Sequence, residues 1–167
     1  MMKTPDQIKN IVEDWIKITG IKYQEITHQE NQDKLEWALH VKPTLIIYMT
    51  KRKDRVILES QLNFASEHQE STENMSDKDF LEFTNNINEY LVIAGIQPVY
   101  KQKQKRIEAM KITGYVDIES LTRDSFYKTW DKVSAFHQIV INKIQIKFGI
   151  KGTFNPSSGS VNAGPYG

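Results

Sequence analysis

The 167-residue sequence contains no cysteine. This absence excludes disulfides, thiolate nucleophiles and zinc sites built on sulfur. No apolar run approaches the ~20 residues that a membrane-spanning helix needs, and the first ten residues lack the apolar stretch of a secretory signal. We therefore expect a cytoplasmic protein without a membrane segment.

The sequence also lacks an excess of charge of one sign. It has 22 Lys and Arg residues against 21 Asp and Glu residues, for a net charge of +1. Domains that coat nucleic acid are usually strongly basic, because their affinity comes from neutralised phosphates and released counterions. With 39% hydrophobic and 26% charged residues, the composition instead predicts an ordinary globular domain with one core.

No motif of catalysis, metal binding or nucleotide binding is present in the sequence. There is no G-x-S-x-G nucleophile elbow, and the glycine-rich segment near the C-terminus follows a helix instead of a strand. No two histidines have the i, i+4 spacing of a helical metal site; they are His28, His40, His68 and His137. We therefore predict no catalytic residue, metal or cofactor, and an enzyme of unrecognised type ranks third among the possible functions.

Hydrophobic periodicity predicts a helix followed by antiparallel strands in the first half of the chain. Thr4, Pro5 and Gln7 have the spacing of a capping box at a helix start, and Gly20 offers a stop. The period then changes to two, and short turns separate the apolar runs. Four strands are predicted near residues 21–23, 35–41, 44–50 and 55–62.

The second half is predicted to contain two helices and two strands. Ser76 caps a helix that ends at Gly95, with Tyr90 on its apolar face, and the last helix runs over residues 123–148. The polar segment 66–76 has no periodicity and is predicted to be a loop. Residues 1–150 are thus predicted to form a single α+β domain, and residues 151–167 a flexible tail rich in Gly, Ser, Asn and Pro. Its antiparallel sheet has about five to six strands and its three helices give the order α-β-β-β-β-α-β-β-α.

The last predicted helix has apolar residues on more than one side. Its main stripe has alternating spacings of four and three, which is typical of a face packed on a sheet; the stripe is Phe126, Trp130, Val133, His137, Val140 and Ile144. We interpret His137 as an imidazole satisfied by a backbone or side-chain partner within this face. Three further apolar residues, Phe136, Ile139 and Ile146, project away from the stripe on the side of the helix that carries lysines. A helix that covers one sheet does not need apolar residues there. The predicted partner-binding residues are Phe136, Ile139, Ile146, Lys132 and Lys143. These residues could contact another helix of this chain, a second copy of the chain or a client segment.

Two basic clusters are predicted to lie at hairpin turns. They comprise Lys51, Arg52, Lys53 and Arg55 in one turn, and Lys101, Lys103, Lys105 and Arg106 in the other. Solvated turns are the simpler interpretation, and the alternative is a nucleic-acid site in which Tyr100 stacks on a base. Segment 66–82 holds six acidic residues against one lysine, so it could instead pair with the basic turns of a neighbouring protomer.

The element order over about residues 5–148 resembles the type III secretion chaperone-like fold, which also includes a bacterial sensory-transduction regulator family and uncharacterised archaeal proteins. The opening helix VEDWIKITG and the closing helix FYKTWDKVSAFHQIVINKI mark this resemblance. It implies a small non-enzymatic protein, commonly dimeric, that binds an extended or amphipathic client segment. We therefore expect an interaction or chaperone-like module that forms a homodimer or holds a protein client, with a nucleic-acid-binding module as the alternative.

Overall fold

The chain forms one antiparallel β-sheet whose inner face packs against α-helices, in a computed structural model that describes residues 3–26, 35–41, 43–52 and 54–149. The helices are α1 (Pro5–Ile18), α2 (Ser66–Glu73), α3 (Asp77–Ile93) and α4 (Arg123–Phe148). The strands are β1 (Tyr23–Glu25), β2 (Leu35–Val41), β3 (Leu45–Thr50), β4 (Arg55–Asn63), β5 (Gln97–Lys103) and β6 (Arg106–Asp117). This is the α+β class that the sequence predicts, with six strands in a single sheet.

The strands are arranged in the order β1-β2-β3-β4-β6-β5, and every neighbouring pair is antiparallel. The central β4–β6 pair extends from Arg55 opposite Asp117 to Asn63 opposite Ala109. Successive side chains of a strand point to opposite faces, and alternate residues of β4 enter the core, namely Val56, Leu58, Ser60 and Leu62. Helix α4 packs over β4 and β6. The core therefore lies between α4 and the middle of the sheet.

The first helix begins as the sequence predicts. The Gln7 backbone N–H donates to Thr4 Oγ1 at 3.3 Å, and the Thr4 backbone N–H donates to Gln7 Oε1 at 2.9 Å. These two reciprocal hydrogen bonds confirm the capping box, and they satisfy backbone N–H groups that have no partner within the helix.

The described residues contain one helix more than predicted, because residues 66–73 form α2 where a loop was expected. The sequence SEHQESTE has no apolar stripe, so periodicity could not reveal this helix. Tertiary contacts hold it: His68 and Thr72 are buried, and Thr72 Oγ1 accepts a hydrogen bond of 3.1 Å from the Ile107 backbone N–H. Over the part of the chain that the structure describes, the order is therefore α-β-β-β-β-α-α-β-β-α. The predicted tail, residues 151–167, lies outside the described residues.

Candidate functional site

Helices α3 and α4 lie side by side and run antiparallel. Aromatic side chains of the two helices meet at one end, where the ring centroids of Phe83 in α3 and Phe148 in α4 are 5.3 Å apart. Further along, the Lys143 Nζ lies 4.1 Å from the centroid of the Tyr90 ring and donates a hydrogen bond to Asn86 Oδ1. The beginning of α3 is thus beside the end of α4, and a cation-π contact joins Tyr90, in the last turn of α3, to Lys143, five residues before the end of α4.

Exposed apolar side chains gather along the outer side of this helix pair. Ile93 of α3 is 80% exposed, and on α4 Ile139 is 37% exposed and Ile146 is 85% exposed. Ile139 and Ile146 are four and three residues from Lys143, and Ile93 is three residues from Tyr90, so all of them border the contact between α3 and α4. We call the set Tyr90, Ile93, Ile139 and Ile146 the helical face.

The predicted partner-binding residues of α4 do not all lie on the helical face. Ile139 and Ile146 do, and Lys132 is exposed two helical turns before Ile139. Lys143 is half-buried because it contacts α3. Phe136 is also half-buried and packs against the core, because it lies four residues before the buried Val140 and so borders the main stripe.

The contribution of α3 to the helical face was not predicted. Tyr90 was expected on the buried side of its helix, but it is exposed and lies under the Lys143 ammonium group. One sequence signal was available, since Ile93 lies off the buried stripe formed by Phe83, Ile87 and Leu91. A residue outside the buried stripe of a helix that packs on one sheet points away from the core.

His137 is satisfied by a side chain of the sheet, as its place on the main stripe of α4 predicts. The Ser60 Oγ lies 2.6 Å from His137 Nδ1 and also donates to the Thr44 carbonyl oxygen at 3.3 Å. Burial lowers the pKa of His137 below its ordinary value of 6.5. A serine beside a histidine could suggest nucleophilic catalysis, but Ser60 is fully buried in the core and cannot reach a substrate. The pair therefore joins α4 to β4.

The lowered pKa of His137 predicts a stability that depends on pH. Below about pH 6.5 the unfolded chain binds a proton at this site while the folded chain resists it, so the free energy of unfolding falls as pH decreases. One proton limits this slope to about 1.4 kcal/mol per pH unit. Urea denaturation between pH 5 and pH 8 should show a smaller decrease in H137Q than in the wild-type chain. Equal pH dependence in both chains would contradict the prediction.

The two basic turns lie at opposite ends of the sheet. The turn between β3 and β4 adjoins the Arg55 end of the β4–β6 pair, whereas the turn between β5 and β6 lies beyond the Ala109 end. Lys51 and Arg52 are exposed, and Lys53 lies outside the described residues. Arg55 forms an ion pair of 3.2 Å with Asp54 and stacks over the Tyr115 ring. The structure does not bring the two clusters together as one phosphate-binding surface.

The acidic segment pairs with a basic turn of the same chain. Lys105 forms an ion pair of 3.0 Å with Asp77, and Arg106 forms one of 2.9 Å with Glu73. Lys101 is 3.0 Å from Glu108 on the adjacent strand, while Lys103 at the edge is exposed. Acidic partners within the chain thus already offset much of the charge of the β5–β6 turn.

Neither a metal centre nor a membrane helix is found in the described parts of the chain. Within residues 3–26, 35–41, 43–52 and 54–149, no group of three or more His, Cys, Asp or Glu residues could hold a metal ion. None of the helices in these ranges is long and apolar enough to cross a bilayer.

Comparison with known proteins identifies the fold and the family. An uncharacterized protein from Methanothermobacter thermautotrophicus has a crystal structure similar to this one, with a TM-score of 0.73 and 16% identity over 84% of this chain and 99% of the other. YbjN, a proposed transcription regulator from E. coli, is a more distant likeness, with a TM-score of 0.38 and 8% identity over 89% of this chain and 91% of the other. No curated protein sequence matches the chain. The family model described as uncharacterized conserved protein DUF2299 matches residues 8–144, and the chain belongs to this family.

Proposed function

We propose that this chain is a non-enzymatic interaction module that binds protein through the helical face. The observation that carries the proposal is the exposure of Ile93 and Ile146, at 80% and 85%, on two helices held in a fixed arrangement. Apolar side chains that are exposed together and rimmed by charge are typical of protein interfaces. Here the rim includes Lys132 on α4 and Glu89 on α3, both exposed.

The order of elements supports a chaperone-like mode of binding. It resembles the type III secretion chaperone-like fold, whose members hold client segments on sheet and helix surfaces. An amphipathic helix could lie across α3 and α4 with its apolar side on Ile93 and Ile139, because docking of an amphipathic helix on apolar side chains is a common mode of recognition. We expect the module to act in the cytoplasm.

Photo-crosslinking tests the proposed function directly. The photoreactive amino acid benzoylphenylalanine is placed at position 139, and the chain is illuminated in a native cell lysate. We expect covalent adducts with protein, because this position would lie at an interface. The matched control has the same amino acid at position 18, since Ile18 is also an exposed helical isoleucine, at 60%, but lies on α1. The same adducts from both positions, or none from position 139, would overturn the proposal.

A further inference from the structure

We infer that the groove between the free edge of β5 and helix α3 binds an extended segment of another protein, which adds a strand to the sheet and alternates apolar with acidic side chains. The groove is separate from the helical face, because it lies on the side of α3 that points away from α4. It therefore gives the chain a second binding surface, beyond the proposed function.

Strand β5 has an unpaired edge. It is the last strand of the sheet, and β6 is the only described strand that pairs with it. Pro98 of β5 has no backbone N–H, and a proline in an edge strand turns this side of its backbone toward solvent. Because backbone groups alternate sides along a strand, the N–H and C=O groups of Tyr100 also point away from β6. Such an edge recognises one class of partner, which is an extended backbone.

Helix α3 follows the length of this edge. Its beginning is held beside the β5–β6 turn by the ion pair of 3.0 Å between Asp77 and Lys105, and only three residues separate its end from β5. Between these points, the Tyr100 hydroxyl donates a hydrogen bond of 2.8 Å to Asn88 Oδ1. Successive residues of an α-helix are rotated by about 100°, so Asn88 is nearly opposite Tyr90, which contacts α4. The side of α3 that carries Asn88 therefore lies over β5 and faces away from α4.

Two exposed apolar side chains line this side of α3. Leu81 is 57% exposed and Val92 is 64% exposed. They lie seven residues before and four residues after Asn88, which places all three side chains on one stripe of the helix. Leu81 and Val92 are about 16 Å apart along the helix, at about 1.5 Å per residue. About five residues of an extended strand cover the same distance. Alternate side chains of an added strand therefore reach both of them.

The other side of an added strand meets lysines. Lys101 and Lys103 are two residues apart on β5 and exposed, and Lys101 projects from the face of the sheet opposite to Tyr100. Lys101 lies 3.0 Å from Glu108, but its side chain is 73% exposed, so this pair is weak. Lys103 forms no ion pair within the described part of the chain. An acidic residue on the added strand is therefore favoured, since opposite charges on neighbouring strands stabilise a sheet.

Charge also disfavours two other occupants of the groove. Residues 150–167 of this chain contain no Asp or Glu, and neither does β5 itself, so a second copy that pairs through its own β5 would bring no acidic side chain. A segment of another protein that carries acidic residues complements the lysines better than either.

Fluorescence anisotropy with a labelled synthetic peptide provides the test. The probe is an eight-residue peptide that alternates Val with Glu, and the matched control peptide alternates Val with Lys. We expect the full chain to bind the Val-Glu peptide with saturation below about 1 mM, and the Val-Lys peptide much more weakly. The variant L81D/V92D should weaken binding by at least about tenfold, because the added strand would bury its charges. The variant K103E should weaken binding by about fivefold. Circular dichroism checks that both variants are folded.

Methylation of the peptide backbone tests strand addition itself. Alternate N–H groups of a strand point to opposite sides, so either the Val or the Glu N–H groups face β5. Methylating the set that faces β5 should abolish binding, whereas methylating the other set should leave the affinity unchanged. The side chains and their charges are the same in both peptides.

The contrary results are equally defined. The inference is overturned by a lack of saturation below about 1 mM, by equal affinity for the Val-Glu and Val-Lys peptides, or by equal affinity of the two methylated peptides. A lower light-scattering mass on addition of the Val-Glu peptide would also overturn it, because a second copy would then have occupied the edge. The variant I93D/I139D should bind the peptide as the wild-type chain does, so failure here leaves the adducts expected from position 139 and the proposed function standing.

Discussion

The variant K111M is expected to lower the free energy of unfolding by about 3 to 5 kcal/mol, because it leaves a buried carboxylate without its main counter-charge. Lys111 Nζ lies 2.8 Å from Glu59 Oε1, and the two side chains are only 19% and 7% exposed. Glu59 also accepts a hydrogen bond of 3.2 Å from the Tyr48 hydroxyl, which alone cannot replace the ammonium group. Urea denaturation monitored by circular dichroism measures the difference.

The double variant E59L/K111M is the matched control for this prediction. Replacing both members of a buried ion pair with apolar residues is often neutral or stabilising, because the cost of desolvating two charges disappears. We expect the double variant to be much closer to the wild-type chain than K111M is. If K111M unfolds at the wild-type urea concentration, or if the double variant is the less stable of the two, the ion pair does not have the role assigned to it.

Two substitutions on the same helix are expected to have opposite consequences. F126A should lower the free energy of unfolding by about 3 to 5 kcal/mol, because it removes a buried aromatic side chain and leaves a cavity. The Phe126 ring is fully buried and lies 5.3 Å from the Trp15 ring and 5.9 Å from the Trp130 ring, so it joins α1 to α4. I146A should change stability by less than about 0.5 kcal/mol, since Ile146 is almost fully exposed.

The contrast between F126A and I146A bears on function as well as stability. An apolar side chain that contributes nothing to folding is free to serve binding, and the place of Ile146 beside other exposed apolar residues of the helical face favours that interpretation. Thermal denaturation of the two variants in dilute solution measures the contrast. A destabilisation by I146A similar to that by F126A would mean that Ile146 supports the fold of the chain itself.

Much of the fold could be predicted because local signals and tertiary packing agree. The capping box at Thr4, the cap at Thr122 and the long apolar stripe of α4 each specify their element without help from the rest of the chain. The strands follow their period of two for the same reason. Helix α2 could not be predicted, because the Thr72 hydroxyl that accepts from Ile107 is a contact across 35 residues of sequence.

The candidate site could be predicted only in part. Spacing along α4 correctly placed Ile139 and Ile146 away from the sheet, because a helix wheel depends on local geometry alone. It placed Phe136 there too, although that ring packs against the core. The register of α3 against α4 is set by contacts such as Lys143 with Tyr90, and a single sequence has no signal for it. The contribution of Ile93 therefore emerged from the structure.

The elution of the chain from native lysate on a size-exclusion column tests most directly whether the helical face binds protein. The wild-type chain and the control variant I18D should both elute ahead of a 19.4-kDa monomer, because each keeps the helical face intact. The variant I93D/I139D should elute as the monomer, with an unchanged circular dichroism spectrum, because its charges cannot be buried at an interface. Elution of I93D/I139D together with the wild-type chain would contradict the account.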